Sequence, residues 1–556
     1  MKARVVNSRL RLLLLVILVV FAVLGARAAW IQTIRASSLA RLAQSQTKID
    51  LQLPASRGTI YDRLGIPLAI GEEATDVVAD PMQISDPRHE ARVAAKVLRI
   101  PFRGVYRELS DRSRGFVYVE RKASPQLAAA LSKRNLTGFT FSSDQRRVYP
   151  QGTVAAPVLG YAGTDNTGLA GLEVELNKAL SGTPGRATVV RDATGQAVNT
   201  IQQRPARDGR DVYLTLDSQI QSNAEQVLEQ TVQEWHAKDA TAIVLDPHTG
   251  AILALAQEPG YNANATPSAP RRLTIDHAVT DVFEPGSVFK VVTVGGALSE
   301  HKITPRTAFT LPYSIHVADR VIHDAEFRPT ERMTVAQILQ RSSNVGAITI
   351  AERYLGEAGL KKWMARFGFG RPTGIDLPGE SPGILPAYWS GSTIGNVPIG
   401  QGVSVTSVQL ASAYAAIANG GVWVQPHVVD RVGDVPAPRP HRRRILEPGV
   451  DRELRTMLKG VVSDQGTGEL AAIPGYSVAG KTGTAQKPGP HGYIPGAYVA
   501  TFVGMVPASN PRLVVLVSVD EPRGGIYGGT VAAPAFERIA SFDLQYLAVP
   551  PDLRLR

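Results

Sequence analysis

An uninterrupted apolar run near the N-terminus limits what this chain can fold into more than any other feature. The run extends from Leu12 to Ala26 and resumes after Arg27 until Ile31. Counted across Arg27, it is long enough to cross the hydrocarbon core of a bilayer, which takes about 20 mostly apolar residues. Arg27 would then lie near the outer face and Trp30 at the interface. The sequence therefore predicts a transmembrane anchor at residues 12–33.

The charges beside this run predict its orientation. Four basic residues precede it: Lys2, Arg4, Arg9 and Arg11. Positive flanks remain in the cytoplasm, so residues 1–11 are expected to form a cytoplasmic tail and the rest of the chain to lie outside the cytoplasmic membrane. A cleaved signal peptide is the alternative, because Ala26-Arg-Ala28 resembles a small-residue cleavage site and the clean run is short. The mostly apolar character up to Ile34 favours the uncleaved anchor.

A second constraint is the stretch Pro285-Gly-Ser-Val-Phe-Lys290. Pro285 and Gly286 predict a turn, and a helix is expected to begin at Ser287, with Lys290 one turn further on the same face. A serine becomes nucleophilic when a base takes its proton, and a lysine with a lowered pKa can do so. The free N–H groups of the helix start favour a developing oxyanion. These features predict an acylation site, although Ser-x-x-Lys alone is a weak signal.

Two later stretches strengthen that prediction. Ser342-Ser-Asn344 is expected on a short loop between helices at 334–341 and 345–355, and Lys481-Thr-Gly-Thr484 within an extended strand. Ser-x-x-Lys, Ser-x-Asn and Lys-Thr-Gly, in this order, form the motif trio of penicillin-binding proteins and class A β-lactamases. All three are improbable together by chance. The trio therefore predicts an enzyme that works through a serine acyl intermediate.

Composition argues against several other classes of protein. With 556 residues, 44% of them hydrophobic, the chain is expected to fold into two or more domains. It has no cysteine and no His-Glu-x-x-His string among its 10 histidines, so a metal site gains no support and we expect no cofactor. The net charge is +11, but the dense basic run His441-Arg-Arg-Arg444 has no nucleic-acid-binding signature beside it. We expect a basic exterior near anionic lipids, and no nucleic acid partner.

Residues 34–206 are predicted to form a pedestal domain. A helical stalk is expected at 35–52, followed by a hairpin within Ser56–Ala69, where alternating apolar residues flank the turn Asp62-Arg-Leu-Gly65. No catalytic chemistry is visible in this hairpin, so we interpret it as structural. Residues 90–135 are expected to be rich in helix.

One stretch of the pedestal imitates a catalytic motif. Glu173-Val-Glu-Leu-Asn177, in a helix expected over Leu169–Leu180, matches the Glu-x-x-Leu-Asn string that carries the deacylating glutamate of class A β-lactamases. In that family the string lies between the second and third motifs, whereas here it precedes Ser287. We therefore expect Glu173 to be structural.

A boundary near residues 205–210 separates the pedestal from a second domain at 207–548. The patterns predict strands and helices that alternate around one antiparallel sheet, an α+β arrangement. Strands are expected at 211–216, 240–256 (two strands about a turn), 498–507 and 512–520, and helices at 218–234, 407–419 and 533–548.

With these stretches laid out, the chain resembles the class B penicillin-binding proteins along nearly its whole length. Four motifs carry the resemblance: Arg57-Gly-Thr-Ile-Tyr-Asp-Arg63, Phe283-Glu-Pro-Gly-Ser-Val-Phe-Lys290, Ser342-Ser-Asn-Val-Gly346 and Gly480-Lys-Thr-Gly-Thr-Ala485. Finer features are similar to the division-specific FtsI type: Gly25–Gln32, Thr280–Gly286 and Tyr527–Pro534. Leu64 and Thr406-Ser-Val-Gln409 depart from the usual pattern, and neither touches the catalytic set.

The resemblance implies a fold. It consists of a penicillin-binding transpeptidase domain of the serine β-lactamase-like kind, with an antiparallel sheet flanked by helices. An elongated N-terminal pedestal of the dimerisation type and one transmembrane helix would precede it.

It also implies residue roles. Ser287 would attack the D-Ala-D-Ala carbonyl of a donor stem peptide, with Lys290 as general base, kept neutral by Lys481 and by burial. Ser342 would relay the proton to the leaving amine, and Asn344 would hold the substrate peptide bond. The terminal carboxylate would be bound by Lys481, Thr482 and Thr484, with Gly483 between them, and the N–H groups of Ser287 and Thr484 would form the oxyanion hole.

For three of these residues a structural role remains open. Ser342 could cap the following helix, Thr482 could be an ordinary strand residue, and Lys481 could be a solvated surface lysine. Ser343 is expected to pack rather than react.

The partners implied are stem peptides, as D-Ala-D-Ala donor and amine acceptor, β-lactam antibiotics, a glycan polymerase of the SEDS family and other membrane proteins of the division machinery. The enzyme would cross-link peptidoglycan during septum formation. An elongation-specific transpeptidase, a D,D-carboxypeptidase or β-lactamase, and a non-catalytic β-lactam-binding scaffold remain as alternatives. The misplaced Glu-x-x-Leu-Asn string argues against a β-lactamase.

Overall fold

A computed structural model describes residues 2–37, 48–191, 197–490 and 492–553. The chain divides into two compact units: Met1–Ser56 with Gly182–Asp208, and Arg57–Ser181 with Gly209–Arg556. The first unit contains one long helix and a three-stranded antiparallel sheet: Lys2–Thr33, and the strands Lys48–Leu53, Gly185–Arg191 and Ala197–Arg204.

The long helix contains the predicted apolar run. Its segment Leu10–Thr33, 24 residues, is long and apolar enough to cross a membrane, and its most apolar part is not buried. The helical stalk predicted at 35–52 is wrong in its last part, because Lys48–Leu53 is a strand that pairs with Gly185–Arg191. Residues 38–47 of that prediction lie outside the described residues.

The second unit is built around a five-stranded antiparallel sheet. In spatial order its strands are Ile252–Glu258, Asp239–Leu245, Leu513–Asp520, Gly492–Val506 and Ala479–Gly489. Apolar runs predicted the first four, because a strand covered on both faces needs few polar residues. The run of small residues around Lys481 predicted the fifth, Ala479–Gly489. The α+β arrangement is confirmed.

Helices cover both faces of this sheet. On one face lie Ser218–Trp235 and Ala533–Tyr546, where the rings of Phe502 and Phe536 meet at 4.7 Å. On the other face lies Ser407–Ala418, which is buried along its whole length. The remaining helices of eight or more residues in this part are Lys290–Ser299, Gly356–Phe367 and Pro448–Val461.

A second sheet of seven strands includes the predicted hairpin. Ile60–Tyr61 pairs antiparallel with Pro67–Ala79, as expected, and the other strands are Val117–Ala123, Phe139–Val148, Val212–Leu214, Val429–Val432 and Val435–Pro436. The helices beside it are Pro87–Leu98, Phe102–Ser110 and Pro125–Ser132, so the helix-rich prediction for 90–135 missed one strand. The helix predicted at Leu169–Leu180 is two short helices, Gly171–Glu175 and Asn177–Leu180. The division of the chain at residue 206 stays a prediction.

A buried charge network holds this region together. The carboxylate of Glu173 is fully buried and accepts hydrogen bonds from Arg57 Nε at 2.7 Å and Arg147 Nε at 2.6 Å. Arg57 Nη1 also donates to Asn177 Oδ1 at 2.8 Å. Glu173, which resembled a catalytic residue in the sequence, pairs two buried arginines and has a structural role.

Asp62, in the hairpin turn, contacts Ser218, a residue of the domain predicted at 207–548. Asp62 is buried, and its Oδ2 accepts hydrogen bonds from the N–H and hydroxyl of Ser218, at 3.2 and 2.7 Å. Ser218 is the first residue of the helix Ser218–Trp235. The Arg57–Arg63 motif therefore ties the pedestal hairpin to the start of a helix that packs on the central sheet.

Candidate active site

Ser287 lies on a tight turn that leads into a buried helix. The turn Gly286–Phe289 is a 3₁₀ segment, and the α-helix proper begins at Lys290 and ends at Ser299. The predicted helix start at Ser287 is therefore correct in position but not in helix type. Gly286 has φ +58°, and a Cβ there would lie 2.9 Å from the carbonyl oxygen of Thr484. Glycine is required because the turn lies directly against the neighbouring strand.

Lys290 is fully buried and its Nζ lies at the centre of the site. It is 2.9 Å from Ser287 Oγ, 2.8 Å from Asn344 Oδ1, and 2.5 Å from the carbonyl oxygen of Ser342. Ser342 Oγ is a further neighbour at 3.2 Å. Two of these four neighbours are carbonyl oxygens, which only accept, whereas the two serine hydroxyls can donate as well as accept. In the neutral form the two N–H groups suit the two carbonyl oxygens, and the lone pair is free to accept the Ser287 proton.

Ser342 and Asn344 reach Lys290 from a short loop. The loop follows helix Val335–Gln340 and precedes helix Asn344–Ile350, as predicted. Ser342 adopts φ +59° in the left-handed region, a strained conformation for serine. The residue that caps the next helix is Ser343, whose Oγ accepts the N–H of Gly346 at 3.0 Å. The capping role considered for Ser342 is wrong, and its side chain is free to face the two lysines.

Lys481 approaches Ser342 from the opposite side. It lies on strand Ala479–Gly489, is fully buried, and its Nζ is 2.9 Å from Ser342 Oγ. It is therefore not a solvated surface lysine. A continuous chain of contacts runs from Ser287 through Lys290 and Ser342 to Lys481, which is the geometry a proton relay requires.

The residues after Lys481 line the same strand, which is the last in the order of the sheet. Thr482 Oγ1 lies 2.7 Å from Thr467 Oγ1, and Thr484 Oγ1 accepts the N–H of Gly528 at 3.2 Å. A Cβ on Gly483 would lie 2.8 Å from the carbonyl oxygen of Pro285. Strand and catalytic turn thus touch at two glycines, Gly286 and Gly483.

Burial dominates the electrostatics of the two lysines. It lowers the pKa of Lys290 to about 7, while the nearby Asp324 carboxylate acts in the opposite direction. The pKa of Lys481 is lowered well below its usual value, first by burial and then by the charge of Lys290. Burial is the main cause of the lowered pKa of Lys290, and repulsion between the two lysines disfavours having both of them charged at once.

Two acidic residues near the site had no assigned role in the sequence. Asp324 is buried under the Ser342 loop, and Glu284 lies three residues before Ser287. Glu284 accepts the N–H of Gly402 at 2.8 Å and the hydroxyl of Tyr493 at 2.9 Å, which ties the catalytic turn to the end of the hairpin formed by the last two strands of the sheet. No sequence pattern indicates a role for Asp324, whereas Glu284 lies within the motif Phe283–Lys290. Among the described residues no cluster of His, Asp and Glu could hold a metal ion.

The structure thus brings a serine, two lysines and an asparagine together at the edge strand of an antiparallel sheet between helical layers, as the motif trio of penicillin-binding proteins requires. Family comparison agrees: the penicillin binding protein transpeptidase domain matches residues 240–541, and the penicillin-binding protein dimerisation domain matches residues 52–214. The chain belongs to this family, in its class B branch.

Named relatives match nearly the whole chain. The probable peptidoglycan D,D-transpeptidase PenA of Neisseria meningitidis serogroup A is 32% identical over 98% of this chain and 94% of its own. The peptidoglycan D,D-transpeptidase FtsI of Escherichia coli K12 is 32% identical over 99% and 94%. Among solved structures, penicillin-binding protein 3 of Mycobacterium tuberculosis, complexed with aztreonam, is 30% identical with a TM-score of 0.72, over 91% of this chain and 99% of that one.

Proposed function

We propose that this protein is a peptidoglycan D,D-transpeptidase that works through an acyl-enzyme on Ser287. The observation that carries the proposal is the 2.9 Å contact between Ser287 Oγ and the buried amine of Lys290. The names of relatives such as FtsI and PenA support the substrate class.

In the first step the neutral amine of Lys290 takes the proton of Ser287 Oγ. The oxygen attacks the carbonyl carbon between the two terminal D-alanines of the donor, and the oxyanion accepts hydrogen bonds from the N–H groups of Ser287 and Thr484. As the C–N bond breaks, the proton passes through Ser342 to the leaving D-alanine amine. An amine of a second stem peptide then attacks the ester, loses its proton by the same route and releases Ser287.

Lys481 serves the donor carboxylate in this mechanism. Without substrate its pKa is lowered by burial and by Lys290. An incoming carboxylate favours the charged form of a neighbouring lysine, so binding of the donor stabilises the ammonium of Lys481. Thr482, Gly483 and Thr484 complete the binding edge, and Asn344 holds the donor peptide bond. No cofactor takes part in these steps.

Labelling with a fluorescent penicillin tests the nucleophile. Full-length protein in detergent is expected to form a stable label that is lost in Ser287→Ala and retained in Ser299→Ala. Ser299 ends the helix that follows the Ser287 turn, and its hydroxyl donates to the Gly295 carbonyl oxygen at 2.7 Å. A folded Ser287→Ala protein that still labels would overturn the assignment. A folded wild-type protein without stable label would mean either fast deacylation, which hydrolysed penicillin in the reaction would reveal, or a non-catalytic scaffold.

Product analysis separates transpeptidation from hydrolysis. With a pentapeptide donor and an amine acceptor, we expect release of D-alanine together with a cross-linked product. Release of D-alanine with only a shortened, uncross-linked peptide would identify a D,D-carboxypeptidase. That result would leave Ser287 as the proposed nucleophile and would replace the amine acceptor of the acyl group by water.

The cellular role proposed is septal synthesis, with the N-terminus in the cytoplasm and the catalytic domain outside the membrane. The FtsI-like motifs and the apolar helix Leu10–Thr33 support this. Depletion in the source cell should produce undivided filaments, whereas loss of elongation would produce rounded cells. A SEDS-family polymerase is the proposed membrane partner. Its proposed contact surface is the anchor together with the pedestal, and co-purification that persists after both are replaced would refute this.

A further inference from the structure

A buried ion pair beneath the Ser342 loop is not part of any of the three motifs. We propose that Asp324 and Arg328 form a positioning pair, which holds Ser342 and Asn344 in place and sets the pH range in which Lys290 acts as a base. The proposal rests on the proposed function, because it assumes that Lys290 is that base. Neither residue touches the reacting atoms, so their role is exerted through the loop and through charge.

One carboxylate organises both sides of the loop. Asp324 is 5% exposed, and its two oxygens accept the hydroxyl of Ser343 at 3.1 and 3.0 Å. Its Oδ1 also accepts the N–H of Val345 at 3.0 Å. Asn344 lies between these two residues and donates from Nδ2 to the carbonyl oxygen of His323 at 3.0 Å. The position of the Asn344 amide, and of Ser342 before it, is therefore held by Asp324 and the residue preceding it.

Arg328 fixes Asp324 in turn. The guanidinium is 8% exposed and donates to Asp324 Oδ2 from Nε at 2.9 Å and from Nη2 at 2.6 Å. Its remaining hydrogen bonds go to three carbonyl oxygens: Leu311 at 2.9 Å, Pro312 at 3.0 Å and Pro329 at 3.2 Å. Both donors of the planar guanidinium reach the same oxygen of Asp324, and with the three carbonyl partners of Arg328 they hold the carboxylate in one orientation.

The pair also faces Lys290 electrostatically. The Asp324 charge raises the pKa of Lys290 against the effect of burial. Among the described residues, Lys481 lies across Ser342 from Lys290, and Arg328 lies behind Asp324 with the Glu331 carboxylate 3.7 Å from its Nε. Two further titratable groups are His323, whose ring nitrogen bonds the Asp324 carbonyl oxygen at 2.7 Å, and Tyr414, whose hydroxyl donates to the Val288 carbonyl oxygen at 2.8 Å. Because Asp324 and Arg328 have opposite charges, removing one or the other changes the field at Lys290 in opposite directions.

Because the two changes have opposite signs, an effect of charge on Lys290 can be distinguished from a purely structural effect on the loop. Removal of the negative charge in Asp324→Asn disfavours the ammonium of Lys290, so the midpoint of the pH–acylation profile should move down by about one pH unit. Removal of the positive charge in Arg328→Gln leaves Asp324 uncompensated, so the midpoint should move up, by less than for Asp324 because Arg328 lies behind it. The double variant should return towards the wild-type midpoint. Arg328→Lys keeps the charge without the fork and should acylate more slowly with an unchanged midpoint.

The experiment measures the second-order rate constant of acylation by a fluorescent penicillin between pH 5.5 and 9.5, on full-length protein in detergent. Midpoint shifts of opposite sign support the proposal, and slower acylation by all variants at one common midpoint overturns it. If Asp324→Asn does not fold, the contrast between Arg328→Gln and Arg328→Lys decides the matter alone. If the wild type labels at Ser287 but has no midpoint near neutral pH, the role of Lys290 as base fails, which is distinct from failure of the Asp324 role.

Discussion

Replacing Glu173 by Gln should destabilise the second unit by about 3–5 kcal/mol, the usual cost of breaking a buried ion pair from one side. Glu173 is fully buried, and the side chains of Arg57 and Arg147 are 2% and 3% exposed. All three strong contacts of its carboxylate, Arg57 Nε, Arg57 Nη2 and Arg147 Nε, are 2.7 Å or shorter. Gln offers one carbonyl oxygen and an NH₂ group, so two buried cations would face a neutral side chain with one acceptor.

The neighbouring residue on the same strand supplies a matched control. Arg146 pairs with Glu72 at 2.8 Å, but these side chains are 54% and 43% exposed. Water replaces a lost partner at such a site, and exposed pairs contribute about 1 kcal/mol or less. Glu72→Gln should therefore leave stability within about 1 kcal/mol of the wild type.

Urea unfolding of the full-length protein in detergent measures both variants, and penicillin labelling of each folded variant measures the active site. Labelling should be unchanged in Glu173→Gln, because none of the hydrogen-bond partners of Glu173 belongs to the Ser287 site. Equal stability losses for the two variants would refute the argument from burial. A stable Glu173→Gln protein that no longer labels would instead give this glutamate a catalytic role.

Three further outcomes are expected. Acylation of the wild type should rise about tenfold between pH 6 and 8 and then level off, because the pKa of Lys290 is about 7 and the amine is the base above it; a rate that keeps rising past pH 9 would indicate an unperturbed lysine. Tyr493→Phe removes the hydrogen bond to Glu284 and should raise the rate of proteolytic cleavage in the hairpin near residue 490, while stability falls by only about 1 kcal/mol. An unchanged cleavage rate would contradict the view that Tyr493 ties this hairpin to Glu284. Gly483→Ala would place a Cβ 2.8 Å from the Pro285 carbonyl oxygen, and this variant should stay folded but react with penicillin at least about tenfold more slowly. Acylation of the variant at the wild-type rate would show that the strand and the Ser287 turn separate easily.

Local patterns predicted most of the elements that carry the site. The strand of Lys481, the loop of Ser342 and the turn of Ser287 each follow from the chemistry of a few adjacent residues: proline and glycine at a turn, small residues along an edge strand. The errors fall where local propensity was weak. The strand Val117–Ala123 was missed within a helix-rich region, and Lys48–Leu53 was assigned to a helix although it pairs with Gly185–Arg191, more than a hundred residues away.

The sequence by itself determined the identity and order of the reactive groups, because Ser287, Lys290, Ser342 and Lys481 stand in motifs whose spacing is visible in one dimension. Only the tertiary structure decided how deeply these groups are buried, and with it the protonation state of the two lysines. Burial, which lowers the pKa of both lysines, is produced by elements distant in the chain. The Asp324–Arg328 pair beneath the loop likewise has no sequence signature, since its meaning depends on which backbone groups the fold brings to it.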